Sequence, residues 1–149
     1  MSRRRRPRSA SRGSAAIEFA LVALPFSLML FGMIDYGWYF FVDLVSTNAV
    51  REGARAATTI PGNCPNVAAT NAGKNAITTY FATALPAYTP TVTTTCTTIA
   101  GDPRFQFDIA LDFTPVTGLG FIPLPPGPGG TTHVQTSATM RGVPGAAGP

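Results

Sequence analysis

Little in this chain of 149 residues is equipped for chemistry. It holds one histidine, two cysteines, and seven acidic residues against eleven basic ones. His133 has no serine or cysteine motif to serve, and no Gly-x-Ser-x-Gly, His-Glu-x-x-His or phosphate-binding loop is present. Asp108 and Asp112 lie about 13 Å apart along a strand, too far to share a metal, and read as solubilising charges. Two cysteines with a single histidine do not make a zinc site. The expectation is a protein without catalysis, cofactor or metal. Internal repeats are also lacking. The most informative shortage is local: from Phe19 to Ile34 there is no charged residue at all.

The charges that are present sit unevenly. Arg3, Arg4, Arg5, Arg6, Arg8 and Arg12 all precede the uncharged run, and no acid occurs among the first 17 residues. Beyond Gly13 the balance is five basic against seven acidic, so the basic character belongs to the leader alone. A basic cluster directly before an apolar segment is a topology signal that puts this end in the cytoplasm and the rest outside. Nucleic acid is not an expected partner; the lipid bilayer is. The uncharged run falls short of the roughly 20 apolar residues needed for a crossing. Continuing past Asp35 through Trp38, Tyr39, Phe40 and Phe41 supplies the difference and an aromatic belt, giving a span at about residues 17–41. Glu18 stands one residue before the run. An ionisable group there costs about 2.5–3.5 kcal/mol on insertion scales and is a functional candidate by default; the alternative is an interfacial acid snorkelling to water.

The start has the basic and apolar regions of a secretory signal peptide but no small-x-small cleavage site close behind them. Ala54-Arg55-Ala56 has the form and comes too late, so conventional removal is not expected. Cys64 and Cys96 both fall on the outer side, where an oxidising compartment permits them to pair. Two free buried thiols are the other reading.

In chain order, residues 14–58 read as one helix, ~65 Å long at 1.5 Å per residue. Pro25 inside it removes a backbone bond and introduces a kink. The far half is amphipathic: Asn48, Arg51, Glu52 and Arg55 on one face, Ala49, Val50, Gly53, Ala54 and Ala57 opposite. Ile60 to Pro65 is a turn-rich break. Asn66 to Leu85 reads as a second helix, with Val67, Ala72, Ala76, Ile77, Tyr80, Phe81 and Leu85 apolar. Thr89 to Ile99 is dense in β-branched residues and suits a strand. Phe105 to Phe113 alternates apolar and polar with period two, and so does Thr131 to Arg141. Between these strands Thr114 to Gly130 is a loop whose Phe121, Ile122 and Leu124 either contact a partner subunit or plug the core. The fold class is α+β: a long N-terminal helix, then a small domain with a second helix and an antiparallel sheet of three strands. The expected division is a leader at 1–13, the helix at 14–58, an extracytoplasmic domain at 59–142 and a flexible tail at 143–149.

An arginine-rich leader, Gly13, then Ser14, Ala15, Ala16 and Ile17, then Glu18-Phe19 and an apolar helix resemble a type IV prepilin processing site. More narrowly, the chain resembles the TadE-like minor pseudopilins of tight-adherence (Flp) pilus systems. Three passages carry that likeness: Leu24-Pro25 leading into Phe31 to Gly37, the stretch Asn48-Ala49-Val50-Arg51-Glu52-Gly53-Ala54-Arg55, and the closing strand Ser137 to Arg141. No acid follows Arg141, a departure from the family pattern. The resemblance implies cleavage after Gly13 by a membrane-embedded prepilin peptidase, leaving Ser14 as the new N-terminus. It implies that Glu18, with Phe19 beside it, pairs with the N-terminal amine of a neighbouring subunit during assembly. It also implies a docking role for Asn48, Arg51, Glu52, Gly53 and Arg55. The partners implied are the peptidase, major and minor pilins and the membrane platform of the pilus system. The location implied is the bacterial cytoplasmic membrane, single-pass. The competing reading is an uncleaved single-pass anchor whose outer domain binds a cell-surface partner.

Overall fold

The computed structural model describes residues 10–118 and 133–144, with the side chains of 10–12 and of His133 excluded. It holds α1 (Ala10–Thr58), α2 (Val67–Ala84), β1 (Thr91–Ile99), β2 (Asp102–Asp112) and β3 (His133–Arg141). The α+β expectation is met: one long helix with an exposed apolar half, a second helix, and a three-stranded antiparallel sheet in the order β1-β2-β3. Phe121, Ile122 and Leu124, the arginines at 3–8 and the end of the tail lie outside the described residues.

The helix α1 begins four residues before its expected start, so Gly13 is its fourth residue, and the helix runs on through Pro25. Its two halves differ in what they touch. From Ile17 to Ile34 the large apolar side chains point outward, while from Val42 onward a stripe is sealed: Val42, Val45, Ala49, Val50, Ala54 and Ala57. That spacing of three and four residues is one helix face. It lies on β3 and β2 on one side and on α2 on the other. The C-terminal half of α1 is thus part of the domain core rather than a stalk beneath it.

Asn66 caps the N-terminus of α2. The Asn66 side chain accepts from the main-chain N–H of Ala69 at 3.0 Å, satisfying one of the orphan donors of the first turn. Its buried residues are Ala69, Gly73, Ile77 and Phe81, followed by Leu85 just past the helix. Val67 at the helix start is 70% exposed and takes no part in the core.

The sheet buries one face. Phe105, Phe107, Ile109 and Leu111 of β2 are all inside, with Phe113 just beyond, as period-two alternation requires. β2 starts three residues earlier than its apolar pattern, because Ala100 and Gly101 form a two-residue turn with φ of 53° and 85°. Positive φ at both central positions matches the twist of the strands it joins, pairing Ile99 with Asp102. β3 pairs along the other edge of β2, Val134 opposite Leu111 and Met140 opposite Phe105.

The two helices cross where neither has a side chain. A Cβ on Gly73 would overlap the Phe107 ring and sit 2.9 Å from the Gly53 carbonyl oxygen; one on Gly53 would meet Ile77 Cδ1 at 2.6 Å and the Gly73 carbonyl oxygen at 2.9 Å. Gly37, by contrast, faces open space. Gly73→Ala should therefore cost about 1–3 kcal/mol, since backbone cannot step aside as a side chain end can. Gly37→Ala should be neutral or stabilising by up to about 1 kcal/mol through helix propensity. Urea midpoints of the detergent-solubilised full chain compare the two.

Candidate functional site

The residues singled out from the sequence fall at two places on α1, about 50 Å apart at 1.5 Å per residue. Gly13, Ser14, Glu18 and Phe19 occupy the N-terminal end, all exposed. Ser14 Oγ donates to Glu18 Oε1 at 3.3 Å, one helical turn away. Local hydroxyl solvation of this kind is what a carboxylate on an otherwise apolar helix can find within its own chain. Phe19 is 74% exposed and opens a surface continuing through Leu21, Val22, Leu24 and Phe26. Among the described residues α1 is the one helix long and apolar enough to cross a membrane, and its apolar window is not buried in the protein. That is compatible with a single-pass anchor.

The second group divides. Arg51, Glu52 and Arg55 are exposed and Asn48 is half-buried, while Gly53 is buried at the helix crossing. Glu52 and Arg55 approach to 3.9 Å across one turn, an exposed pair of small worth. So the stretch has an inward side fixed by packing within the domain and an outward charged side with no further ion pair among the described residues. Asn48 precedes this crossing by one turn. Beside it, Thr47 and Thr136 hydroxyls meet at 3.3 Å, joining α1 to β3.

Cys64 and Cys96 form a disulfide with Cα atoms 5.6 Å apart, tying the α1–α2 connection to β1. Near it, the main-chain N–H of Gly62 donates to the Val143 carbonyl at 3.2 Å. At the other end of the domain lies a feature that sequence reading passed over. Asp35, treated as an interruption in an extended apolar run, is completely buried. Its carboxylate accepts from the Thr117 main-chain N–H at 3.0 Å and from the Thr117 hydroxyl. Two further contacts brace the same place. Trp38 Nε1 donates to Tyr88 Oη at 3.1 Å, and the rings of Tyr39 and Phe113 meet edge to face at 5.4 Å. The signal available beforehand was the isolation of Asp35 between Ile34 and Tyr36, since a lone acid there has to find a partner. Among the described residues no group of three or more His, Cys, Asp or Glu side chains is placed to hold a metal.

A long helix, apolar and exposed over its first half and built into a small domain over its second, defines an α+β protein with one candidate membrane span. Residues 13–55, all on α1, match the family model described as TadE-like protein. The match implies involvement in tight-adherence (Flp) pilus systems. Proteins of this family are structural rather than enzymatic. No curated protein and no solved structure matches the chain.

The division of the signature has a measurable consequence. Arg51→Ala and Arg55→Ala should each change stability by no more than about 0.5 kcal/mol, as exposed side chains do. Ala54→Leu, overfilling a closed contact, should cost about 1–3 kcal/mol. Reduction of Cys64–Cys96 should cost ~3.5 kcal/mol in the loop-entropy model. Denaturant midpoints of the full chain in detergent, with and without reductant, give all three.

Proposed function

We propose that this chain is a minor pseudopilin of a tight-adherence pilus or secretion system, cut after Gly13 by a prepilin peptidase and assisting assembly. The observation carrying this reading is the start of the family match at residue 13, on a helix whose following residues are bare and apolar. Removing residues 1–13 takes away six arginines and leaves a helix with one acid, Glu18, near its new end. Within lipid that acid and a free amine at Ser14 of a neighbouring subunit relieve each other's cost. Such a pair selects register rather than adding strength, because buried ion pairs are weak evidence for net stability. The exposed side of the signature, Arg51, Glu52 and Arg55, is then available to pilins or to the membrane platform. Orientation follows the arginines, with the leader in the cytoplasm and the domain outside. The disulfide favours the same sidedness, since such bonds persist in oxidising compartments.

One observation favours a second reading. Gly13 lies within α1 rather than in an extended segment. A protease cleft takes extended backbone, so the helix end has to unwind before the bond after Gly13 is cut. An uncleaved single-pass anchor with an extracytoplasmic binding domain needs no such step.

Intact mass of the membrane-extracted protein, with and without a co-expressed prepilin peptidase, separates the readings. Loss of residues 1–13 only when the peptidase is present is the expected result, and retention in both samples points to the anchor. Glu18→Ala is expected to be cut normally and to lose co-purification with the partner pilins; undiminished co-purification would remove Glu18 from the assembly role.

A further inference from the structure

We propose that the contact between Asp35 and Thr117 holds α1 at one fixed depth, and so fits the protein to a bilayer whose hydrocarbon layer is thinner than average. The proposal rests on α1 being a membrane span and does not require cleavage after Gly13.

Apolarity alone leaves the depth of this helix undetermined. Beyond Asp35, on the side of α1 away from the domain, Phe40 is 63% exposed and Leu44 59%. From Ile17 to Leu44 the helix is about 40 Å long, more than the ~30 Å of an average hydrocarbon core. Judged by its greasy surface only, the helix can slide by two turns.

The domain removes that freedom. Residues 113–118 are not in a strand, and they touch α1 through Phe113 at Tyr39 and through Thr117 at Asp35. Thr114 and Val116 of this segment are exposed. Irregular backbone facing lipid does not occur within hydrocarbon, because nothing there satisfies its N–H and C=O groups. The outer limit of the hydrocarbon therefore falls no higher than Asp35. In the unassembled chain, where no neighbouring amine pairs with it, Glu18 sets the inner limit. The two acids are 17 positions apart, which is about 25 Å of helix. An average bilayer exceeds that by about 5 Å and has either to thin around the helix or to take in Glu18. The buried Asp35 carboxylate, with both its recorded bonds coming from Thr117, is what joins the irregular segment to the helix at this point.

The test reconstitutes the full chain in phosphatidylcholine vesicles with dimyristoleoyl, dioleoyl or dierucoyl chains, in order of increasing thickness. Gly37→Cys reports depth just above Asp35, at a position where a Cβ meets nothing. Its reaction with a membrane-impermeant maleimide is normalised to Thr139→Cys, exposed on the sheet. The native cysteines are held in the disulfide and stay silent. With Asp35 present, relative labelling at position 37 should be the same in all three lipids, and incorporation should decline from the thinnest to the thickest. Adding Asp35→Leu should abolish the labelling in dierucoyl vesicles and spare it in dimyristoleoyl ones. Thr117→Val, milder to the fold, should give a partial loss in the same direction. Labelling that fades with thickness while Asp35 is present, or that survives in both variants, overturns the proposal. Extraction of the protein by alkaline carbonate would overturn the span itself, a failure distinct from a failure of the depth control.

Discussion

The domain depends on two backbones coming close enough for their carbonyl oxygens to limit what either residue can be. Gly53 and Gly73 meet at the crossing of α1 and α2, and the space a side chain would need there is filled by Ile77 and the ring of Phe107. The seating of the sheet on the helices follows from that approach. α2 can lie along α1 only at this distance, and the inner face of β2 then finds both helices within reach of its phenylalanines. Small residues on α1, Ala49, Ala54 and Ala57, extend the close contact in both directions. A helix with larger residues in this stripe would hold α2 away and leave Phe107 without a wall.

This dual use of one helix explains why the chain can be read so differently along its length. α1 is a single element, yet its first half has no packing partner among the described residues and its second half is the centre of the core. The handover occurs between Ile34 and Val42, where Asp35, Trp38 and Tyr39 each find a polar or aromatic partner from the domain. A carboxylate buried on a helix with bonds from one threonine is a costly arrangement unless both groups are held in place. The aromatic contacts on either side supply that restraint.

Much of this was legible in the residues. Alternation gave away β2 because Phe105, Phe107, Ile109, Leu111 and Phe113 have no competing explanation, and the helix stripe of α1 was visible in its alanines. Boundaries were less so. β2 begins at Asp102 because of the turn at Ala100 and Gly101, and alanine with positive φ is not a residue choice that announces a hairpin. Val67 looked like core and is the exposed first residue of α2, since a capping asparagine fixes where the helix starts but not which way its first turn faces. Asp35 was hidden for a different reason. Its partner, Thr117, is 82 residues away, inside a stretch with no periodicity to place it. Gly53 was visible as part of a charged signature, and only the three-dimensional crossing shows that it serves the interior. The pairing of Cys64 and Cys96, open between two readings beforehand, is decided by their positions on the connection and on β1.

The outward side of β1 presents Thr91, Thr93, Thr95 and Thr97, all exposed and none ionisable. Hydroxyls hold water through hydrogen bonds that neither titrate in the ordinary range nor weaken as salt shortens the reach of charge. Charge reaches this face from β2, where Asp108 lies opposite Thr93 and Arg104 opposite Thr97. For the threonines themselves, wetting of this kind changes little with the medium.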